Sequence, residues 1–234
     1  MSVVEKTESF LSKYRELENV SGSTYGLPEG KRISGLENMA QFELTMRRKL
    51  TYCRVFRNEI IHNSIGRTFD AEPTDEMISF LDDVIERIQN PLKCKNIAIP
   101  MSSMLWRSID DALMPTMRTM RRENFTHIPI LADGRVTGVL SESSVFLYLA
   151  DSGATMIEEN DRISILQEYL GLEEREAERF VFLPWDADVS DAKEAFAERY
   201  EKNERLGMIL FTQNGSKGEK LLGALTAWDL TLMK

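Results

Sequence analysis

The first 92 residues place apolar side chains three and four positions apart, which is the period of an α-helix with one buried face. This pattern predicts helices over residues 3–19, 35–62 and 75–90. A Ser- and Gly-rich loop at 21–30 separates the first two, and Asn63-Ser64-Ile65-Gly66 stops the second. Thr74 directly precedes the third helix and is predicted to be its N-cap. We therefore expect an all-α bundle over residues 1–92.

Beyond residue 92 the apolar segments shorten, and the order strand, helix, strand, strand, helix occurs twice. Pro115 is expected to kink or interrupt the first of these helices. Asp133-Gly134 is predicted to form a hairpin turn. The fold class is therefore α+β, with an N-terminal all-α bundle followed by a repeated β-α-β-β-α unit. The predicted segments are 95–100, 108–124, 126–132, 135–140 and 143–150 in the first copy, and 180–184, 190–201, 208–212, 221–225 and 228–233 in the second.

Each copy carries a glycine on its third strand, then two apolar residues and a hydroxyl residue before the last helix. The stretches are Gly138-Val139-Leu140-Ser141-Glu142-Ser143-Ser144 and Gly223-Ala224-Leu225-Thr226-Ala227-Trp228-Asp229. Together with His127-Ile128-Pro129-Ile130 in the second strand, they resemble tandem CBS domains, a pair of which forms a Bateman module. The resemblance places a first CBS domain at 93–157, a helical connector at 158–178 and a second CBS domain at 179–234.

The CBS resemblance implies that the pair binds AMP, ADP or ATP as a regulatory ligand. Carried over, Thr226 faces phosphate and Asp229 accepts from the ribose hydroxyls in the second copy. The first copy offers Ser141 and Ser144 and lacks the acid. A hydroxyl beside a helix N-terminus suits an anion because free backbone N–H groups point there. The alternative is that these side chains only cap helices.

Two ring side chains lie beside these motifs. Trp228 is expected to pack in the core rather than to stack on adenine, since most large aromatic side chains are buried. His127, on the second strand, is expected to be satisfied by backbone groups rather than to contact a ligand.

The predicted helix 35–62 has one broad apolar stripe, and Arg57 falls near its middle. A charge there is costly unless it meets a carboxylate, a partner subunit or an anionic ligand. Asn58 and His62 lie one turn apart on the adjoining polar edge. The hexapeptide Arg57-Asn58-Glu59-Ile60-Ile61-His62 resembles the Arg-Asn-x-x-x-His signature of HEPN domains, which are small helical bundles that usually dimerise.

The HEPN resemblance implies a homodimer that cuts RNA without metal, with Arg57, Asn58 and His62 as the catalytic residues. His62 can exchange a proton near neutral pH, and Arg57 can hold the charge of the phosphorane. Asn58 can orient the phosphate or the imidazole. Two alternatives stay open: Arg57 binds a buried Glu while His62 caps the helix, or the protein is a non-enzymatic nucleotide sensor or adaptor whose helical domain only dimerises or recruits a partner.

The net charge of −9 disfavours nucleic acid and anionic membranes unless positive charge is concentrated locally. Residues 47–57 contain five cations and no acid. We take Arg47, Arg48 and Arg54 as candidate RNA-binding residues. The alternative is an ordinary solvated helix face.

Cys53 and Cys94 are the two cysteines, and with two histidines they offer no clustered set of metal ligands. We therefore expect free thiols, no metal and no required cofactor. The sequence has no apolar run of about 18 residues, the length that a membrane helix needs. Residues 1–6 lack the features of a signal peptide. We accordingly expect a cytoplasmic protein with no membrane partner.

Overall fold

The structure, a computed structural model, describes residues 2–39, 41–63, 72–153, 156–173, 178–202 and 204–231, the side chains of His62 and Asn63 excepted. The chain divides into two compact units, unit 1 (Met1–Leu92) and unit 2 (Lys93–Lys234). Unit 1 is helical in its described part, and unit 2 combines helices with two β-sheets. The predicted α+β fold class is confirmed.

Four helices form the described part of unit 1: α1 (Val3–Tyr25), α2 (Arg32–Glu37), α3 (Leu44–Asn63) and α4 (Asp75–Gln89). α1 packs mainly against α4, and α2 packs mainly against α3. The predicted N-cap of α4 is confirmed, because the Thr74 hydroxyl accepts a hydrogen bond from the Met77 amide at 3.2 Å. Fully buried side chains of the shared core include Phe10, Leu17, Leu36, Leu50 and Leu81.

Helix α1 continues six residues beyond its predicted end, so the predicted loop at 21–30 is wrong over its first half. Ser21 is fully buried, and its hydroxyl donates to the Leu17 carbonyl at 2.6 Å. A serine satisfied in this way is compatible with a helix interior. The helix ends instead at Gly26, which has a φ of 64° and closes it in the left-handed conformation.

The predicted single helix over 35–62 is wrong, because the chain forms the two helices α2 and α3 there. Glu37 ends α2 and binds Arg54 of α3 through two hydrogen bonds of 2.7 and 3.1 Å. In one straight helix these two residues would lie about 25 Å apart at 1.5 Å of rise per residue. The break therefore lets α2 fold back onto α3 and bury Leu36 and Phe42.

Unit 2 follows the predicted order of element types with shifted boundaries. It contains β1 (Ile99–Pro100), α5 (Leu113–Glu123), β2 (His127–Ala132), β3 (Arg135–Ser141), α6 (Glu142–Asp151), β4 (Arg179–Pro184), α7 (Val189–Glu201), β5 (Leu206–Thr212), β6 (Gly223–Leu225) and α8 (Ala227–Thr231). Short 3-10 helices occur at Cys94–Asn96 and, within the connector, at Ile163–Tyr169.

The strands of unit 2 form two sheets. One has the order β1-β6-β5-β4, in which β4 runs parallel to β5 and the other pairs are antiparallel. The second is the antiparallel hairpin β2-β3. The predicted hairpin turn is confirmed: Asp133 and Gly134 have φ values of 51° and 76°, and two positive φ angles are what a two-residue hairpin turn requires.

Two predictions for the first copy are wrong. Within residues 95–100, the first two end the 3-10 helix Cys94–Asn96, and only Ile99–Pro100 form a strand. This strand, β1, pairs with β6 of the second copy. The place of the first strand is taken by Arg107, which bridges Ile130 of β2 in parallel, as β4 pairs with β5. Pro115 does not interrupt its helix, because α5 begins at Leu113 and the first turn of a helix tolerates proline.

The motif glycines allow a backbone carbonyl to approach the third strand of each copy. A Cβ atom at Gly138 would lie 2.7 Å from the Leu170 carbonyl oxygen, and one at Gly223 would lie 2.7 Å from the Ile99 carbonyl oxygen. Real Cβ atoms do not come so close to a fixed oxygen. Both copies therefore need glycine at this position, because any side chain would collide with the neighbouring carbonyl.

Candidate functional site

A cavity of about 500 Å³ lies between the two copies of unit 2, and we call it the Asp229 cavity. It joins the end of the second-copy motif to the second strand of the first copy. Met104, Leu105 and Met208 supply much of its apolar wall. The cavity is also lined by Glu123, Phe125, Thr126, His127, Thr226, Trp228 and Asp229.

Thr226 and Asp229 are brought together at the start of α8. The Thr226 amide donates to Asp229 Oδ2 at 2.6 Å, and the Thr226 hydroxyl donates to the same oxygen at 2.8 Å. Asp229 thus uses Oδ2 at the start of α8, and Oδ1 has no donor among the described residues. The Thr226 hydroxyl donates its hydrogen bond to Asp229, so its predicted contact with phosphate requires that hydroxyl to rotate.

Trp228 is 75% exposed, so the prediction that it packs in the core is wrong. Helix α8 has no buried residues. Phe125, which is 40% exposed, lines the same cavity. Exposed aromatic faces beside an apolar cavity suit a flat heterocycle, which can stack on them.

The charge of the Asp229 cavity limits what it can hold. Its acidic side chains are Asp229 and Glu123, and Glu123 pairs with the exposed Arg122 at 2.7 Å. None of the described lining residues is Lys or Arg. Because like charges repel, each phosphate on a ligand is unfavourable unless a cation meets it. The cavity therefore favours the nucleoside part of a nucleotide over a long phosphate chain.

Ser141 and Ser144 of the first copy form a buried capping box at the start of α6. The Ser144 amide donates to Ser141 Oγ at 3.3 Å, and the Ser141 amide donates to Ser144 Oγ at 3.1 Å. Ser144 is fully buried and Ser141 is 2% exposed. This geometry corresponds to the capping alternative.

His127 is satisfied by side chains, so the prediction that backbone groups satisfy it is wrong. Its Nε2 lies 2.6 Å from Oε2 of Glu178, and its Nδ1 lies 2.8 Å from the Thr126 hydroxyl. The other Glu178 oxygen accepts a short hydrogen bond from the Ser141 hydroxyl. No signal in the sequence points to Glu178, because it lies 37 residues from Ser141 and 51 residues from His127, in a stretch rich in acids.

A second cavity, of about 490 Å³, lies in unit 1 and is called the Arg57 cleft here. The Arg57 guanidinium stacks 5.6 Å above the ring of Tyr14 and donates to Asn58 Oδ1 at 3.1 Å. Burial raises the pKa of Tyr14, so the phenol stays neutral and does not offset the cation. No described carboxylate lies within ion-pair distance of Arg57. The catalytic prediction also names His62, whose side chain lies outside the described residues.

The three candidate RNA-binding residues differ in their surroundings. Arg54 lines the Arg57 cleft but is held by both oxygens of Glu37, which neutralises it. Arg47 is half-buried, and its Nε atom is buried without a hydrogen-bond partner. Arg48 is exposed. Of these three residues, therefore, Arg54 is paired with a carboxylate, whereas Arg48 is the most exposed.

Both cysteines are buried free thiols. Burial raises the pKa of Cys53 to about 11 and that of Cys94 to about 12, so neither is a thiolate near neutral pH. Within the described ranges no group of three or more His, Cys, Asp or Glu residues could hold a metal ion. Over the same residues no helix is both long and apolar enough to span a membrane.

A family model described as the CBS domain matches residues 108–151, which contain α5, β2, β3 and α6. No curated protein matches the sequence significantly. Among the solved structures that match, a hemolysin-like protein containing a CBS domain of Oenococcus oeni PSU is 14% identical, with 60% of this chain and 88% of that chain covered and a TM-score of 0.41. A conserved protein from Pyrococcus horikoshii is 14% identical, with 60% of this chain and 90% of that chain covered and a TM-score of 0.43. CBSX2 in complex with AMP is 12% identical, with 60% of this chain and 94% of that chain covered and a TM-score of 0.44. The family match thus identifies a CBS domain at residues 108–151, within the first of the two copies.

Proposed function

We propose that unit 2 is a regulatory module that binds an adenine nucleotide in the Asp229 cavity. The observation that carries the proposal is that one cavity combines Asp229 Oδ1, an acceptor without a described donor, with the exposed rings of Trp228 and Phe125. A carboxylate oxygen suits the ribose hydroxyls, and an aromatic face suits the base. The match of residues 108–151 to the CBS domain supports the proposal, because the CBS resemblance implies an adenine nucleotide as the ligand.

The lining of the cavity favours AMP over ADP and ATP, because no described Lys or Arg lines it. A like charge at about 4 Å costs about 1 kcal/mol even in water. We expect calorimetric titration at constant ionic strength to give an ATP dissociation constant about tenfold higher than that of AMP. GMP serves as the control for the base. Tighter binding of ATP than of AMP, or no binding of any adenine nucleotide at millimolar concentration, contradicts the proposal.

A second candidate function, metal-independent RNA cleavage by unit 1, is favoured by Arg57. Its guanidinium lies in a cleft beside Asn58, and no described carboxylate pairs with it. In this proposal Arg57 binds the phosphate, Asn58 orients it, and His62 transfers a proton. One His62 per chain supplies only one of the acid and the base, so the site requires a homodimer. The nucleotide in unit 2 then tunes the activity of unit 1.

The test of this second function is an incubation of the purified protein with mixed RNA in the presence of EDTA. We expect fragments that disappear with His62→Ala and persist with Glu59→Gln, an exposed charge change on the same helix. Light scattering in the same buffer is expected to give twice the mass of 26.9 kDa. A monomer at micromolar concentration, or fragments that survive His62→Ala, contradicts cleavage at this site and leaves the adaptor function of unit 1.

A further inference from the structure

The Glu178 carboxylate is held by two side chains of the first copy. Its Oε1 accepts from the Ser141 hydroxyl, and its Oε2 lies 2.6 Å from His127 Nε2. The Glu178 carboxylate accepts both contacts when His127 carries its proton on Nε2. The Glu178 side chain is 1% exposed and the His127 side chain 6%. Glu178 is the last residue of the predicted connector and directly precedes β4 of the second copy.

Glu178 thus occupies the position that the motif of the first copy offers to an anion. Ser141 is the counterpart of Thr226, and it caps the ten-residue helix α6, whose N-terminal end favours negative charge. In this structure the chain's own Glu178 side chain meets the Ser141 hydroxyl at that position. A cavity of about 650 Å³ borders Ser141, so there is space for a ligand beside this position.

Packing holds this carboxylate in place from the side of the second copy. A Cβ atom at Gly207 would lie 2.8 Å from His127 Nε2 and 3.2 Å from Glu178 Oε2, so the β5 backbone closes directly over the pair. Phe180 meets the His127 ring edge-on, with centroids 6.1 Å apart. A carboxyl group enclosed in this way depends on its partners, and removing it takes away the contacts that it makes with Ser141 and His127.

We infer that Glu178 is an intramolecular ligand that blocks the first copy, so that each chain binds one nucleotide and not two. Glu178 is then the residue that determines which of the two copies binds a nucleotide. The number of nucleotides bound rests on the proposed function of the Asp229 cavity. Whether the position of the Glu178 carboxyl group accepts an anion does not depend on that function, and it is tested separately.

The first test is anion rescue of Glu178→Ala, with thermal unfolding compared in sodium acetate and in sodium chloride at equal ionic strength. Acetate can enter the vacated position and accept from Ser141 and His127. We expect it to raise the midpoint of Glu178→Ala by about 3 °C or more relative to chloride. If Glu178→Ala is unfolded in chloride, the recovery of its helical circular dichroism in acetate is the readout.

The matched control is Glu173→Ala, which removes an exposed acid that pairs with Lys217 at 2.8 Å, five residues before Glu178. Acetate is expected to shift this variant and the unchanged protein by less than about 1 °C. Equal responses of Glu178→Ala and Glu173→Ala overturn the inference.

The second test is the number of AMP molecules bound per chain, measured by calorimetry. We expect one for the unchanged protein and more than one for Glu178→Ala in chloride. Two sites in the unchanged protein overturn the inference. If the unchanged protein binds no AMP, the proposed function fails, and the acetate comparison still decides whether Glu178 fills an anion position.

Discussion

Replacing Phe10 with alanine is expected to lower the free energy of unfolding by about 3–5 kcal/mol, the usual cost of deleting a buried aromatic ring. Phe10 is fully buried at the centre of unit 1. Its ring meets Phe56 edge-to-face with centroids 5.5 Å apart, and Tyr14 at 6.1 Å. The lost contacts thus include α3 as well as the rest of α1, and the Tyr14 ring that supports Arg57 loses a neighbour.

This change is measured by urea denaturation followed by far-ultraviolet circular dichroism, which reports the helices of unit 1. Tryptophan fluorescence cannot replace it, because all three tryptophans lie in unit 2. The control is Phe146→Ala, the same substitution at a side chain that is 70% exposed, and it is expected to stay within about 0.5 kcal/mol. A loss below about 1.5 kcal/mol for Phe10→Ala contradicts the packing described for unit 1.

Helix α4 could be predicted almost to the residue, since the signals that define it are local. Its predicted range was 75–90, and the structure has Asp75–Gln89. Thr74 supplies the cap, Pro91 follows the end, and the apolar stripe repeats with the helical period. The hairpin at Asp133-Gly134 was predictable for the same reason, because two adjacent residues determine the turn.

The break between α2 and α3 could not be predicted in this way, because a distant contact stabilises it. The residues on either side of the break continue a helical apolar pattern. The pairing of Glu37 with Arg54 and the burial of Phe42 hold α2 folded back against α3. Tertiary contacts of this kind override local periodicity, and a single sequence gives no sign of which charges will pair.

The candidate site in unit 2 was only partly predictable. The motif pattern located Thr226 and Asp229, and the structure brings them together. Local pattern did not indicate that Trp228 would be exposed, since burial of a ring on a short helix depends on what packs against it. Nor did it identify Glu178 as the partner of Ser141, because that pairing is set by the way the second copy folds onto the first.

Replacing Asp229 with alanine is expected to weaken AMP binding about 10- to 150-fold, or about 1.5–3 kcal/mol, as for the loss of hydrogen bonds to a charged acceptor. The change removes Oδ1, the acceptor proposed for the ribose hydroxyls. It also removes the cap that Oδ2 provides through Thr226, so circular dichroism of the variant must show that the fold is retained.

Two control variants separate the loss of this acceptor from a general change of the cavity. Glu123→Gln removes an acid from the same lining and leaves Asp229 in place, so it is expected to leave AMP affinity unchanged or slightly improved. Ser144→Ala alters the buried capping box of the first copy and is expected to change affinity by less than about threefold, because Ser144 is not exposed to ligand. If Asp229→Ala binds AMP as tightly as the unchanged protein, the Asp229 carboxylate serves only to cap α8, and the nucleotide proposal for this cavity is wrong.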